Sequence, residues 1–98
     1  MFSPNAKYLL DKAAKDPHHR VVVNALLACY LAKIPPAMDR IIMGAQNPSP
    51  LFRASVAWAM GYAGDAAFLP HLEALARDEH DNVRNAASAA LQKFLNKR

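Results

Sequence analysis

Displaced by 31 positions, this chain lands on itself. Ala28, Ala59 and Ala90 then share a column, and so do Val21, Phe52 and Val83. Cys29, Met60 and Leu91 form a third column, Leu10, Ile41 and Leu72 a fourth, and Ala14, Ala45 and Ala76 a fifth. A fixed period of this length marks stacked helical units, none of which can bury its apolar face alone. At 98 residues the chain has room for one domain built of thin repeats sharing a continuous core. The register divides that single domain (1–98) into a half repeat at 4–15, repeats at 16–46 and 47–77, and a half repeat at 78–98. The expected architecture is all-α: a right-handed superhelix of about six helices.

Breakers place those helices. Pro4 opens the first and Asp16-Pro17 closes it; Pro35-Pro36, Asn47-Pro48-Ser49-Pro50, Gly61 to Asp65 and Asp78 to Asn82 make the later joints. Helices are expected at about 4–15, 18–33, 36–46, 50–63, 66–77 and 80–95. Pro36 suits a first-turn position, where its missing N–H costs nothing. Asp65 and Asp81 read as N-caps. No segment keeps a period of two, so no sheet is expected. Val21, Phe52, Val83, Leu10, Ile41, Leu72, Ala59 and Ala90 form the expected core.

The clearest unit begins Asp78-Glu79-His80-Asp81-Asn82-Val83-Arg84-Asn85-Ala86-Ala87, and the unit before it ends Gly64-Asp65-Ala66-Ala67-Phe68-Leu69-Pro70-His71-Leu72. These stretches resemble the short bacterial HEAT-like repeat, the type named after phycobilisome lyases. Its pattern is D-x-x-V-R-x-A-A-x-x-A-L-G followed by G-D-x-x-A-L-P-x-L. Residues 18–46 depart most, with Ile34-Pro35 in place of Gly64-Asp65 and Val22 where Arg53 and Arg84 stand. The resemblance implies a first helix (A) on the convex side of each unit and a second (B) on the concave side. It also implies that Arg53 and Arg84 bond to carbonyls and acidic side chains in the loops between helices.

Helical spacing separates groove from core. In the B helix at 66–77, Phe68, Leu69, Leu72, Leu75 and Ala76 share the buried face, leaving Pro70, Glu73, Ala74 and Arg77 opposite. Stepping back one repeat adds Asp39, Ile42, Met43 and Gln46, and another adds Tyr8, Asp11, Lys12 and Lys15. The groove is electrically balanced, whereas a surface that tracks phosphates needs a positive excess. Ile42 and Met43 are either packing between adjacent B helices or the apolar centre of a binding site.

The helix at 18–33 is apolar almost all round, a pattern that normally demands cover on every side. Val22, Val23, Leu26 and Leu27, extended by Trp58, are therefore either tucked between A helices or an exposed convex surface. That surface would take a second copy of the chain or a neighbouring domain.

Chemistry is scarce. His18, His19, His71 and His80 make no H-x-x-x-H pattern, so no metal site is expected. Cys29 falls in a core column as an inert thiol, and with one cysteine a reducing, cytoplasmic setting is expected. Gly61 and Gly64 follow no strand, so no phosphate loop and no cofactor are expected. No run approaches the ~18 apolar residues of a membrane span. The net charge of +4 sits mainly toward the chain ends, which disfavours nucleic acid in the groove. The reading favoured is a non-catalytic module that binds a protein partner. The alternatives are part of a HEAT-like enzyme of the chromophore-lyase kind, or a HEAT-like nucleic-acid binder.

Overall fold

The computed structural model describes residues 19–96. The half repeat at 4–15, with Tyr8, Leu10, Asp11 and Lys12, lies outside the described residues. Those described form five helices: α1 (His19–Leu31), α2 (Pro36–Gly44), α3 (Pro50–Ala63), α4 (Leu69–Leu75) and α5 (Asp81–Asn96). A 3-10 turn, Ala66–Phe68, leads into α4. No strand occurs among the described residues. Helices α1, α3 and α5, the A helices, pack side by side, with the most extensive contact between α3 and α5. Each B helix seats against two of them, α2 on α1 and α3, and α4 on α3 and α5.

Local chemistry explains where the helices start and stop. At the head of α3, Ser49 is extended and its Oγ accepts the Phe52 N–H at 3.3 Å, while Pro50 occupies the first turn. Asp65 caps the 3-10 turn through Oδ1, which accepts the Ala67 N–H at 2.9 Å. The expected helix at 66–77 divides because Pro70 has no N–H to give to Ala66, so the chain makes a 3-10 turn first. Asp81 is a first-turn acid rather than an N-cap. Its carboxylate pairs with Arg84, and it is Asp78 that receives the His80 N–H, at 3.0 Å.

The core is one cluster in which Phe52, Phe68, Met60, Leu72 and Val83 are fully buried, together with Ile41, Val56, Ala59 and Ala90. Six of the eight expected core positions are thus buried. Leu10 lies outside the described residues, and Val21 is 66% exposed. The reason lies in α1. Val22, Val23, Leu26 and Leu27 are its buried residues, while Val21 and Ala28 face out and Cys29 is half-buried. The buried stripe of α1 thus falls one to two residues later than that of its sisters, roughly 100–200° round the helix. On a helix apolar all round, the face with most side-chain area turns inward, and two valines and two leucines outweigh Val21, Ala25 and Ala28. The exposed convex surface expected of Val22, Val23, Leu26 and Leu27 is therefore absent, because these four residues are core.

Two glycines permit close approach. A Cβ on Gly61 would stand 2.6 Å from the Ala90 Cβ and 2.9 Å from its Cα, so Gly61 draws α3 onto α5 from inside the helix. One on Gly44 would meet Val56 at 2.7 Å and Phe52 at 2.8 Å, which brings α2 down onto α3.

Both A-to-B turns of the described repeats pass through a left-handed residue: Gly64 at φ 68° and Lys33, 31 positions earlier, at φ 63°. The Lys33 N–H reaches Tyr30 O and the Ile34 N–H reaches Cys29 O, the paired bonds of a Schellman motif. The turn is thus in register: Lys33, and not Ile34 as the sequence alignment expected, stands at the Gly64 position, and Ile34 stands at that of Asp65. A lysine held left-handed costs about 1 kcal/mol relative to glycine. Lys33→Gly is accordingly expected to raise the urea midpoint by a stabilisation of ~0.5–1 kcal/mol. A lowered midpoint would show that the lysine side chain contributes more than its backbone costs.

Candidate functional site

The B-helix face is built from two short helices and the turns after them. Asp39 and Met43 project from α2 and Gln46 from its trailing turn; Glu73 projects from α4 and Arg77 from the turn beyond. All five are exposed, Met43 at 55%. Ile42 is half-buried and packs against the core, so Met43 is the apolar side chain this face offers most fully. Asp39 and Glu73 balance Arg77 in sign, and Arg40, next to Asp39 in the chain, is half-buried. Tyr8, Asp11 and Lys12 lie outside the described residues.

Between the repeats runs a line of polar ties. Arg53, near the start of α3, donates from Nε to Asp78 Oδ2 at 2.8 Å and from one terminal nitrogen to Oδ1 at 3.1 Å. Its other terminal nitrogen bonds Asn47 O at 2.7 Å and Pro48 O at 3.2 Å. Arg84 repeats the second contact one unit later, donating to Asp78 O at 2.7 Å. The expected loop-binding role of both arginines is thus present in the structure. The Arg53 guanidinium holds the Asp78 carboxyl down at about 2, aided by the His80 N–H and opposed by burial. A second tie joins Tyr30 of α1 to Asp65, whose Oδ2 accepts the phenol at 2.5 Å. That bond pushes the Tyr30 hydroxyl up to about 12 and lowers Asp65, which also accepts the Ala67 N–H. The Tyr30 ring lies 5.6 Å from that of Phe68, so the tie rests directly on the core.

On the other side of the A helices is a groove of about 550 Å3 that the sequence pattern did not reveal. Helix α1 supplies His19, Arg20 and Asn24 to one wall. Leu51, Ala54 and Trp58 of α3 form its floor, and Ala86 of α5 bounds the far side. Leu51 and Trp58 are 52% and 44% exposed. The Trp58 ring stacks on Tyr62 one turn along, with centroids 5.5 Å apart. Of the convex residues expected to bind a partner, Trp58 alone is accessible. The signal in the sequence was the stripe Leu51, Trp58, Tyr62, which lies opposite the buried stripe Phe52, Val56, Met60.

These stacked hairpins, tied by a repeated arginine, agree with a sequence-family model: the HEAT repeats, matched over residues 6–92. The chain belongs to the HEAT-repeat family. HEAT repeats commonly mediate protein interactions, and the family is generally of a non-catalytic scaffold type. A search of curated proteins gave no match. Among the described residues of this HEAT-repeat chain, no three histidine, cysteine or acidic side chains cluster as a metal site, and no helix is long and apolar enough to cross a membrane.

Proposed function

We propose that this HEAT-repeat chain is a non-catalytic scaffold module that binds a polypeptide on its B-helix face. The observation that carries this reading is Met43, a large flexible apolar side chain left 55% exposed on α2, the helix that also carries the exposed Asp39. Methionine adapts to differently shaped apolar partners, and the exposed Asp39, Glu73 and Arg77 of the same B-helix series would supply orientation rather than a single-signed field. Gln46 adds a neutral donor and acceptor, and the half-buried Ile42 extends the apolar surface. Tyr8, Asp11 and Lys12 would continue the same face by repeat register. A partner segment anchors on Met43, because desolvated contacts at the centre of an interface carry most of its energy.

The test is capture of partners from lysate by the wild type and by Met43→Asp. The variant is expected to lose the partners that the wild type retains specifically, at an effect of ~2 kcal/mol or more in any isolated complex. Helical circular dichroism should stay unchanged, since the position is exposed. Identical partner sets for both proteins would remove the B-helix face as the working surface.

A further inference from the structure

The groove across α1, α3 and α5 has a chemistry distinct from that of the B-helix face. Its floor is apolar, with Leu51 and Trp58 both open to solvent and Ala54 between them. One end carries Arg20 and the His19 ring, and the Ser55 hydroxyl and Asn24 amide lie within it. No aspartate or glutamate lines it among the described residues. Its volume falls in the range of ~300–1,000 Å3 typical of sites that enclose a ligand. An apolar floor beside a cationic end, with no carboxylate among its described lining residues, is complementary to an amphipathic anion.

We propose that this groove binds an acidic peptide segment carrying an apolar anchor. The anchor seats against Leu51 and Trp58, and a neighbouring carboxylate meets the Arg20 guanidinium. A peptide is favoured over nucleic acid because backbone tracking requires several phosphate contacts, and among its described lining residues the groove offers one guanidinium over an apolar floor. The site is independent of the B-helix face, since none of its lining residues belongs to α2 or α4.

Trp58 is the chain's single tryptophan, so its fluorescence reports directly on the groove. The probe is a short blocked peptide of leucine, phenylalanine and glutamate, titrated into the full chain at low salt. The control is the same peptide with glutamine in place of glutamate. A saturable blue shift is expected with the acidic peptide, and binding should be about tenfold or more weaker with the glutamine peptide, roughly 1.4 kcal/mol. Arg20→Glu should produce the same loss, and Leu51→Glu, which abolishes the apolar seat, a larger one. Both positions are exposed, and unchanged circular dichroism verifies that the variants fold. Met43→Asp should bind the peptide like the wild type, so failure of this site and failure of the B-helix reading are separable. The proposal is overturned by an absent or unsaturable shift, by equal binding of both peptides, or by insensitivity to Arg20→Glu. It is equally overturned if Met43→Asp abolishes binding, or if oligothymidylate shifts Trp58 more strongly than the peptide does.

Discussion

Phe52→Ala is expected to destabilise the chain by ~3–5 kcal/mol. The ring is fully buried and belongs to the cluster that joins all the described helices. Its edge stands against Gly44, which has no side chain to swing into the space, so the cavity left by truncation cannot be filled from α2. Val56, the other residue seated on Gly44, is β-branched and held to few rotamers. The loss should therefore include a cavity term as well as the transfer of the ring. Measured by urea denaturation, such a loss is a large share of the ~5–15 kcal/mol available to a small domain, and the variant should melt well below the wild type. Leu51→Ala is the control. It sits one residue away, 52% exposed, and should change stability by no more than about 0.5 kcal/mol. A loss below ~1 kcal/mol for Phe52→Ala would mean that the contact between α2 and α3 is not held by this ring.

The positions of the helices were legible because a 31-residue register and proline punctuation speak to the same boundaries. Pro36, Pro50 and Asp65 did what their residue types allow. The rotation of α1 was not legible. Sister helices carry Arg53 and Arg84 as polar markers beside the core stripe, whereas Val22 occupies that position in α1 and leaves the pattern without a polar reference. When every face is apolar, side-chain volume decides, and Val21 is turned outward despite its column. The split before α4 was written in Pro70, but a helical period cannot distinguish a 3-10 turn from the first turn of an α-helix. On the B-helix face, spacing alone placed Asp39, Met43, Gln46, Glu73 and Arg77 outward, because that face requires only one helix at a time. The groove beside Trp58 requires three helices at their actual separations. That separation depends on Gly61 meeting Ala90, which a sequence reader takes for part of a helix break.

Asp78→Ala is expected to cost about 2–4 kcal/mol, an effect out of proportion to a loop aspartate. Asp78 and Arg53 are each nearly shielded from water, at 12% and 14% side-chain exposure. Removing the carboxylate leaves the guanidinium with Asn47 O, Pro48 O and the imidazole of His80, and without a counter-charge. It also removes the acceptor for the His80 N–H just ahead of α5. Arg53→Ala should cost a comparable amount, because it strands both the carboxylate and the two loop carbonyls. The double variant should lose less than the sum, with a coupling of ~0.5–3 kcal/mol. The same pair sets an acid response of known sign. With its folded value near 2 against an ordinary 3.8, Asp78 contributes stability that is fully present above pH ~4–5 and lost as the pH falls through 3.8 toward 2. Solvent screening reduces the contribution to ~1–2 kcal/mol. Asp65, lowered by Tyr30, titrates in the same direction, so part of the slope should survive in Asp78→Ala. Urea unfolding at several acid pH values should therefore show a shallower decline for Asp78→Ala than for the wild type. An identical slope would mean that Arg53 holds the loop through its carbonyls alone.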